Sequence, residues 1–231
     1  MIYEFTKKGL ESMFSIEGKF FRTLTKIADF LILGFLMIIF SLPIITMGAS
    51  ITAMFYVGMK LVRDEESYVF KDFFKSWKQN LKQSIFMELI IVVLAAFLIT
   101  DIRICYQWAN AEGSTFARLL MFAVIGFLLV LSGVVLYAFP MLAKFENTVI
   151  KTLKNALILC VHHLPQTLIM LLATYGIIYF SLSYFLVLIL TIPFICYIDS
   201  YVLARIMLPY TKQAQVNIDD EQDSSDEAEE I

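Results

Sequence analysis

Residues 42–84, LPIITMGASITAMFYVGMKLVRDEESYVFKDFFKSWKQNLKQS, decide how the chain folds. The stretch opens inside a long apolar run, is interrupted at Pro43 and Gly48, and leaves the apolar phase at Lys60. A charged turn and a basic amphipathic segment follow. As one helix, the run from Ile27 to Leu61 would be about 52 Å long at 1.5 Å per residue. A hydrocarbon core is only about 30 Å thick. Pro43 and Gly48 stand where a turn would be made. The run therefore reads as a short helical hairpin, with arms near 27–43 and 49–61 and a turn near 44–48. Backbone groups freed at such a break must be satisfied by protein or water. Thr46, Ser50 and Thr52 carry hydroxyls suited to that task.

The rest of the chain supports a membrane reading. Of its 231 residues 59% are hydrophobic and 17% charged, where soluble domains carry about 25% charged residues. The apolar residues come in blocks: Phe30 to Met59, Leu119 to Ala143 and Ala156 to Ile198 hold no charge. A soluble helix needs a polar face, and these blocks have almost none. Spans are expected near 27–43, 49–61, 84–106, 117–140, 162–181 and 184–208, the last two joined by a turn around Ser181 to Tyr184. The fold class is an all-α integral membrane protein with about six transmembrane helices. No small-residue cleavage site follows the first apolar run, which is expected to remain as an anchor.

Charge sets the expected orientation. With the hairpin's ends on one side, 16 basic residues fall on that side and only Arg103 and Arg118 on the other. By the positive-inside rule both termini are then cytoplasmic. Residues 1–18 read as a mobile lead-in, 19–212 as the membrane-embedded domain, and 213–231 as a disordered acidic tail. Asp219 to Glu230 holds eight acids and no base, so the remaining 18 bases and 13 acids leave the body at +5. Such a segment has no apolar face to bury.

The segment after the hairpin places Phe70, Phe73, Phe74, Trp77 and Leu81 opposite Lys71, Lys75, Lys78 and Lys82. An amphipathic helix lying on anionic lipid accounts for this pattern. A docking surface for a soluble partner has the same pattern. No nucleic-acid partner is expected.

Ionisable residues in spans are functional candidates by default. Asp29 is expected to pair with Lys26 one turn away. Glu88 is expected to pair with a base of another cytoplasmic segment. Asp199 and Arg205 are expected near the headgroups. None of the three acids is expected near the bilayer centre, which argues against a proton relay. His162 and His163 are neighbours that diverge by about 100° on a helix and make a poor chelate. The three cysteines, Cys105, Cys160 and Cys196, have no metal-ligand spacing and read as small core residues. No H-E-x-x-H, G-x-S-x-G or phosphate loop occurs. No catalytic, metal or cofactor site is expected, and an enzyme is disfavoured.

Taken jointly, several elements resemble the YesL-like family of small bacterial membrane proteins. They are Leu42-Pro43 with Thr46, Gly48, Ser50 and Thr52-Ala53, then Val62-Arg63-Asp64-Glu65-Glu66. Phe73-Phe74-Lys75-Ser76 with Lys78-Gln79-Asn80 follows, as does Ala143-Lys144-Phe145-Glu146-Asn147 through Asn155-Ala156. The resemblance runs over about residues 15–210 and omits the acidic tail. It implies a domain of unknown function from Gram-positive bacteria, often encoded beside sugar ABC transporters and carbohydrate-degrading enzymes, with no assigned catalytic residues. The expectation is an accessory membrane protein of a carbohydrate uptake system that contacts lipid and the transporter's permease or ATPase. The alternative is a transporter or permease-like subunit in its own right. The interaction candidates are Pro43, Thr46, Gly48, Ser50, Arg63, Asp64, Glu65, Phe74, Lys75, Trp77, Lys78, Asn80, Glu146 and Asn147.

Overall fold

A computed structural model describes residues 19–145, 147–182 and 191–210. The lead-in, the acidic tail, Glu146 and the turn after Ser181 lie outside the described residues. Those described are helical, with no strand among them. The helices are α1 (Lys19–Phe40), α2 (Met47–Val62), α3 (Val69–Glu112), α4 (Thr115–Lys144), α5 (Val149–His162), α6 (Leu164–Leu182) and α7 (Thr191–Tyr210). A single 3-10 turn, Ile44–Thr46, joins α1 to α2.

Among the described residues, six stretches are long and apolar enough to cross a membrane: Phe21–Phe40, Ile44–Val62, α3, α4, Leu164–Ser181 and α7. The molecule is a multi-pass membrane protein. The most apolar windows of α3 and α4 are only 6% and 11% buried within it. Surface that apolar is stable against lipid rather than water.

The boundaries follow from local chemistry. Pro43 has no amide hydrogen to continue α1, and the chain turns there. The C-terminus of α2 forms a Schellman motif. Glu65 N donates to Lys60 O and Asp64 N to Leu61 O, with Asp64 left-handed at φ 57°. Aspartate tolerates that conformation better than most side chains. Gly113, at φ 63°, ends α3, and the Ser114 hydroxyl accepts from Ala117 N to start α4. Pro140 lies inside α4 among buried neighbours, Tyr137 to Leu142. Pro165 occupies the first turn of α6, where a missing amide hydrogen costs nothing.

Two helices have bounds that the expected spans did not give. The amphipathic segment and the next span form one continuous helix of 44 residues, about 66 Å long. Residues 149–162, between two expected spans, form a separate helix that ends at His163, φ −110° and ψ 39°.

The hairpin packs on the start of α3. Lys60 meets Asp72, Thr52 meets Ser84 and Gly48 meets Glu88, so α2 and α3 run antiparallel. Phe40, at the end of α1, packs against Phe73, Phe74 and Trp77. These contacts stop at Glu88, and the 24 residues from Leu89 to Glu112 continue beyond them, about 36 Å.

Candidate functional site

The site is the break between α1 and α2 together with the basic end of α3. At the break, Thr46 Oγ1 donates to Phe40 O at 2.8 Å and contacts Pro43 O at 2.9 Å. Ser50 Oγ donates to Thr46 O at 3.0 Å, and Thr52 Oγ1 to Gly48 O at 2.8 Å. The hydroxyl role expected at the break is met by Thr46, whereas Ser50 and Thr52 bond carbonyls four residues back along α2. Thr52 also hydrogen-bonds Ser84 across the α2–α3 interface at 3.2 Å.

Glu88 departs from expectation. Instead of a lysine or arginine it takes a backbone donor, Gly48 N, at 2.9 Å from Oε2. Gly48 is the second residue of α2, so a carboxyl group sits on the amides that a helix start leaves free. The approach requires glycine. A Cβ at position 48 would lie 2.8 Å from Phe139 Cε1, 3.1 Å from Glu88 Oε2 and 3.1 Å from Ser84 O. Ser84 and Glu88 are one turn apart on α3, and that spacing was the available sequence signal.

At the basic end, ion pairs tie three elements together. Lys26 Nζ lies 2.6 Å from Asp64 Oδ1, so Lys26 pairs across to the α2–α3 loop and not with Asp29. That hydrogen bond, and then the charge behind it, hold the Asp64 carboxyl below the usual carboxylate range. A depressed value means the contact favours the folded state above the ordinary carboxylate range. It is lost as pH falls through the depressed value. Lys60 Nζ donates to Asp72 Oδ2 at 2.9 Å, and Ser67 Oγ donates to the same oxygen at 3.0 Å. Arg63 donates to Ala204 O of α7 at 3.3 Å and lies 3.6 Å from Glu65.

The Lys60 and Asp72 side chains are 25% and 15% exposed. A double-mutant cycle, Lys60→Ala with Asp72→Ala, is therefore expected to give a coupling of about 1 kcal/mol, the upper end for partly screened pairs. Additive losses in the melting of the purified protein would show that the pair is only a contact of convenience.

The aromatic face of the amphipathic segment packs in large part against the end of α1. Phe73 is fully buried, Phe74 and Trp77 are half-buried, and all three rings pack around Phe40. Phe70 alone of the segment's large aromatics is well exposed, at 58%. The lysines behave as expected: Lys71, Lys75, Lys78 and Lys82 are exposed along one side of α3.

Among the interaction candidates, Pro43, Thr46, Gly48 and Ser50 gather at the break. Arg63, Asp64 and Glu65 form the loop that caps α2, and Phe74 and Trp77 pack on Phe40 at the end of α1. Asn80 is spent on its own helix, donating to Ser76 O and Oγ. Asn147 lies apart from this group. With Asn155, Met141, Phe145, Met207 and Tyr210 it lines a separate pocket of about 250 Å³. Glu146 falls outside the described residues. His162 and His163 stack edge to face at 4.9 Å, and no group of three or more His, Cys, Asp or Glu side chains could hold a metal among the described residues.

An all-helical bundle with six potential crossings among the described residues, interrupted between α1 and α2 where a carboxyl group meets the start of α2, defines a class of polytopic membrane proteins. Residues 30–102 match the model of one particular family, described as "Protein of unknown function, DUF624". The match begins in α1, includes the break and all of α2, and ends within α3, the region that carries most of the YesL-like elements. No curated protein and no solved structure matches the chain.

Proposed function

We propose that the protein is a non-catalytic accessory component of a bacterial plasma membrane, working beside a carbohydrate ABC uptake system. Its contact surface is the basic side of α3. One observation carries the reading: the exposed lysines at 71, 75, 78 and 82 stand on a helix whose other side is locked to α1 and α2. Charges on a fixed scaffold lose less freedom on docking than charges on a mobile arm. A stripe of four suits the acidic surface of a permease or ATPase, and anionic headgroups at its rim. The carbohydrate association rests on the resemblance to YesL-like proteins, and the cytoplasmic placement of the stripe rests on the distribution of basic residues.

Replacing Lys71, Lys75, Lys78 and Lys82 by glutamine in an otherwise intact strain tests the proposal. Sugar uptake is expected to fall while the amount of protein in the membrane stays the same. Normal uptake at normal protein levels would refute it.

A second reading, a permease-like subunit for a small solute, draws on the break itself. Interrupted helices whose ends face polar groups form binding sites in several transporter folds, and Glu88 on Gly48 N is such an arrangement. Uptake of a labelled sugar by the purified protein in liposomes separates the two, since an accessory component alone transports nothing.

A further inference from the structure

Away from the break, the interior between α4, α6 and α7 contains a line of polar side chains. On α6, Thr167, Thr174 and Ser181 recur every seven residues and share a face. Thr167 and Ser181 are buried, at 2% and 0% exposure. The Thr167 hydroxyl bonds Tyr137 of α4 at 2.9 Å and reaches the carbonyls of Cys160 and His163. Thr174 Oγ1 donates to Asp199 Oδ2 of α7 at 3.3 Å.

Asp199 is the unusual member. It was expected near the headgroups, but it is 1% exposed and lies close to the middle of α7, facing a residue close to the middle of the α6 span. Its Oδ1 has no hydrogen-bond partner among the described residues, and the same is true of Ser181 Oγ. Among the described residues, no charged partner faces it. From α4 the titratable group in reach is Tyr137, and on α7 itself it is Cys196. From α6 the facing group is the Thr174 hydroxyl. On α2 the nearby positions are Gly58, against Ser200, and the carbonyl of Met54, against Cys196. No described lysine, arginine or histidine makes an ion pair with Asp199.

A bare carboxylate with one long hydrogen bond and no counter-charge is too costly to keep inside an apolar bundle. Something that arrives must neutralise it. A metal cation would need several oxygens around it, and here one carboxyl and one hydroxyl converge. A proton needs one oxygen. We propose that Asp199 is a proton-binding site inside the membrane domain, with Thr174 orienting the carboxyl and the Thr167–Thr174–Ser181 face forming a polar track beside it. This site is separate from the break and the lysine stripe, and it does not depend on the accessory reading.

The test uses the full-length protein in liposomes and dicyclohexylcarbodiimide, an apolar reagent that reacts with protonated carboxyls. The acid adds across one C=N bond, its oxygen going to the central carbon and its proton to nitrogen. Rearrangement then leaves a stable N-acylurea, and no group is lost. Peptide mass mapping is expected to find the adduct concentrated at Asp199, with a yield that falls as the pH is raised and does not change when sodium replaces choline. Asp199→Asn should lose this adduct and keep its melting temperature, because the amide retains the Thr174 contact. Absence of an adduct at Asp199 across the pH series, while other carboxyls react, would overturn the proposal. Protection by sodium would also overturn it, assigning the carboxyl to a metal cation.

Discussion

Replacing Phe73 by alanine is expected to destabilise the protein by about 3–5 kcal/mol, the range for deleting a fully buried aromatic side chain. Phe73 has no exposed surface and meets the rings of Phe40 and Phe74 at centroid distances of 5.8 and 6.0 Å. It joins the end of α1 to the start of α3, and no smaller side chain reaches across that gap. Phe70→Ala is the matched comparison. Three residues earlier and 58% exposed, it should change stability by less than about 0.5 kcal/mol. Thermal unfolding of both variants in one mild detergent gives the answer. Equal, small effects would mean that the aromatic face meets lipid after all and that the Phe40 cluster contributes little.

Gly48→Ala is the second large effect, expected to cost about 1–3 kcal/mol by overpacking. The added methyl group has no free direction: Phe139, Glu88 and Ser84 lie at 2.8–3.1 Å from its position. The Ser84 contact is backbone and cannot rotate away. Relief would require α2 and α3 to separate, lengthening the Gly48–Glu88 and Thr52–Ser84 hydrogen bonds together. Gly126→Ala, in α4, meets nothing within 4 Å and should be neutral or stabilising by up to about 1 kcal/mol, the ordinary helix preference for alanine. If Gly48→Ala melted like wild type, the close approach of α2 to α3 would not be a requirement of the fold.

Much of this architecture was legible in the sequence because its signals are local. Pro43 and Gly48 mark the break, the uncharged blocks mark the spans, and the hydroxyl at 46 sits where freed carbonyls need it. What escaped depends on which helices meet. An aromatic face with lysines behind it reads the same whether it rests on lipid or on Phe40, since both surfaces are apolar. Lys26 has Asp29 one turn away, yet the chain returns Asp64 to within 2.6 Å, and only the hairpin's geometry makes that choice. Asp199 was misplaced for a related reason. Its distance from the apparent end of a span says nothing about which neighbour turns a hydroxyl toward it.

The continuity of α3 has a mechanical consequence. From Lys71 to Glu88 the helix spans about 26 Å without interruption. It holds the lysine stripe at one point and the carboxyl that meets α2 at another. Three contacts with α2, at Asp72, Ser84 and Glu88, are spaced along that length, and Phe40 adds a fourth support beside the lysines. A beam held at several points does not pivot at any one of them. The lysine stripe and the helix break therefore belong to one stiff strut, and a load placed on the charges is shared with the hairpin.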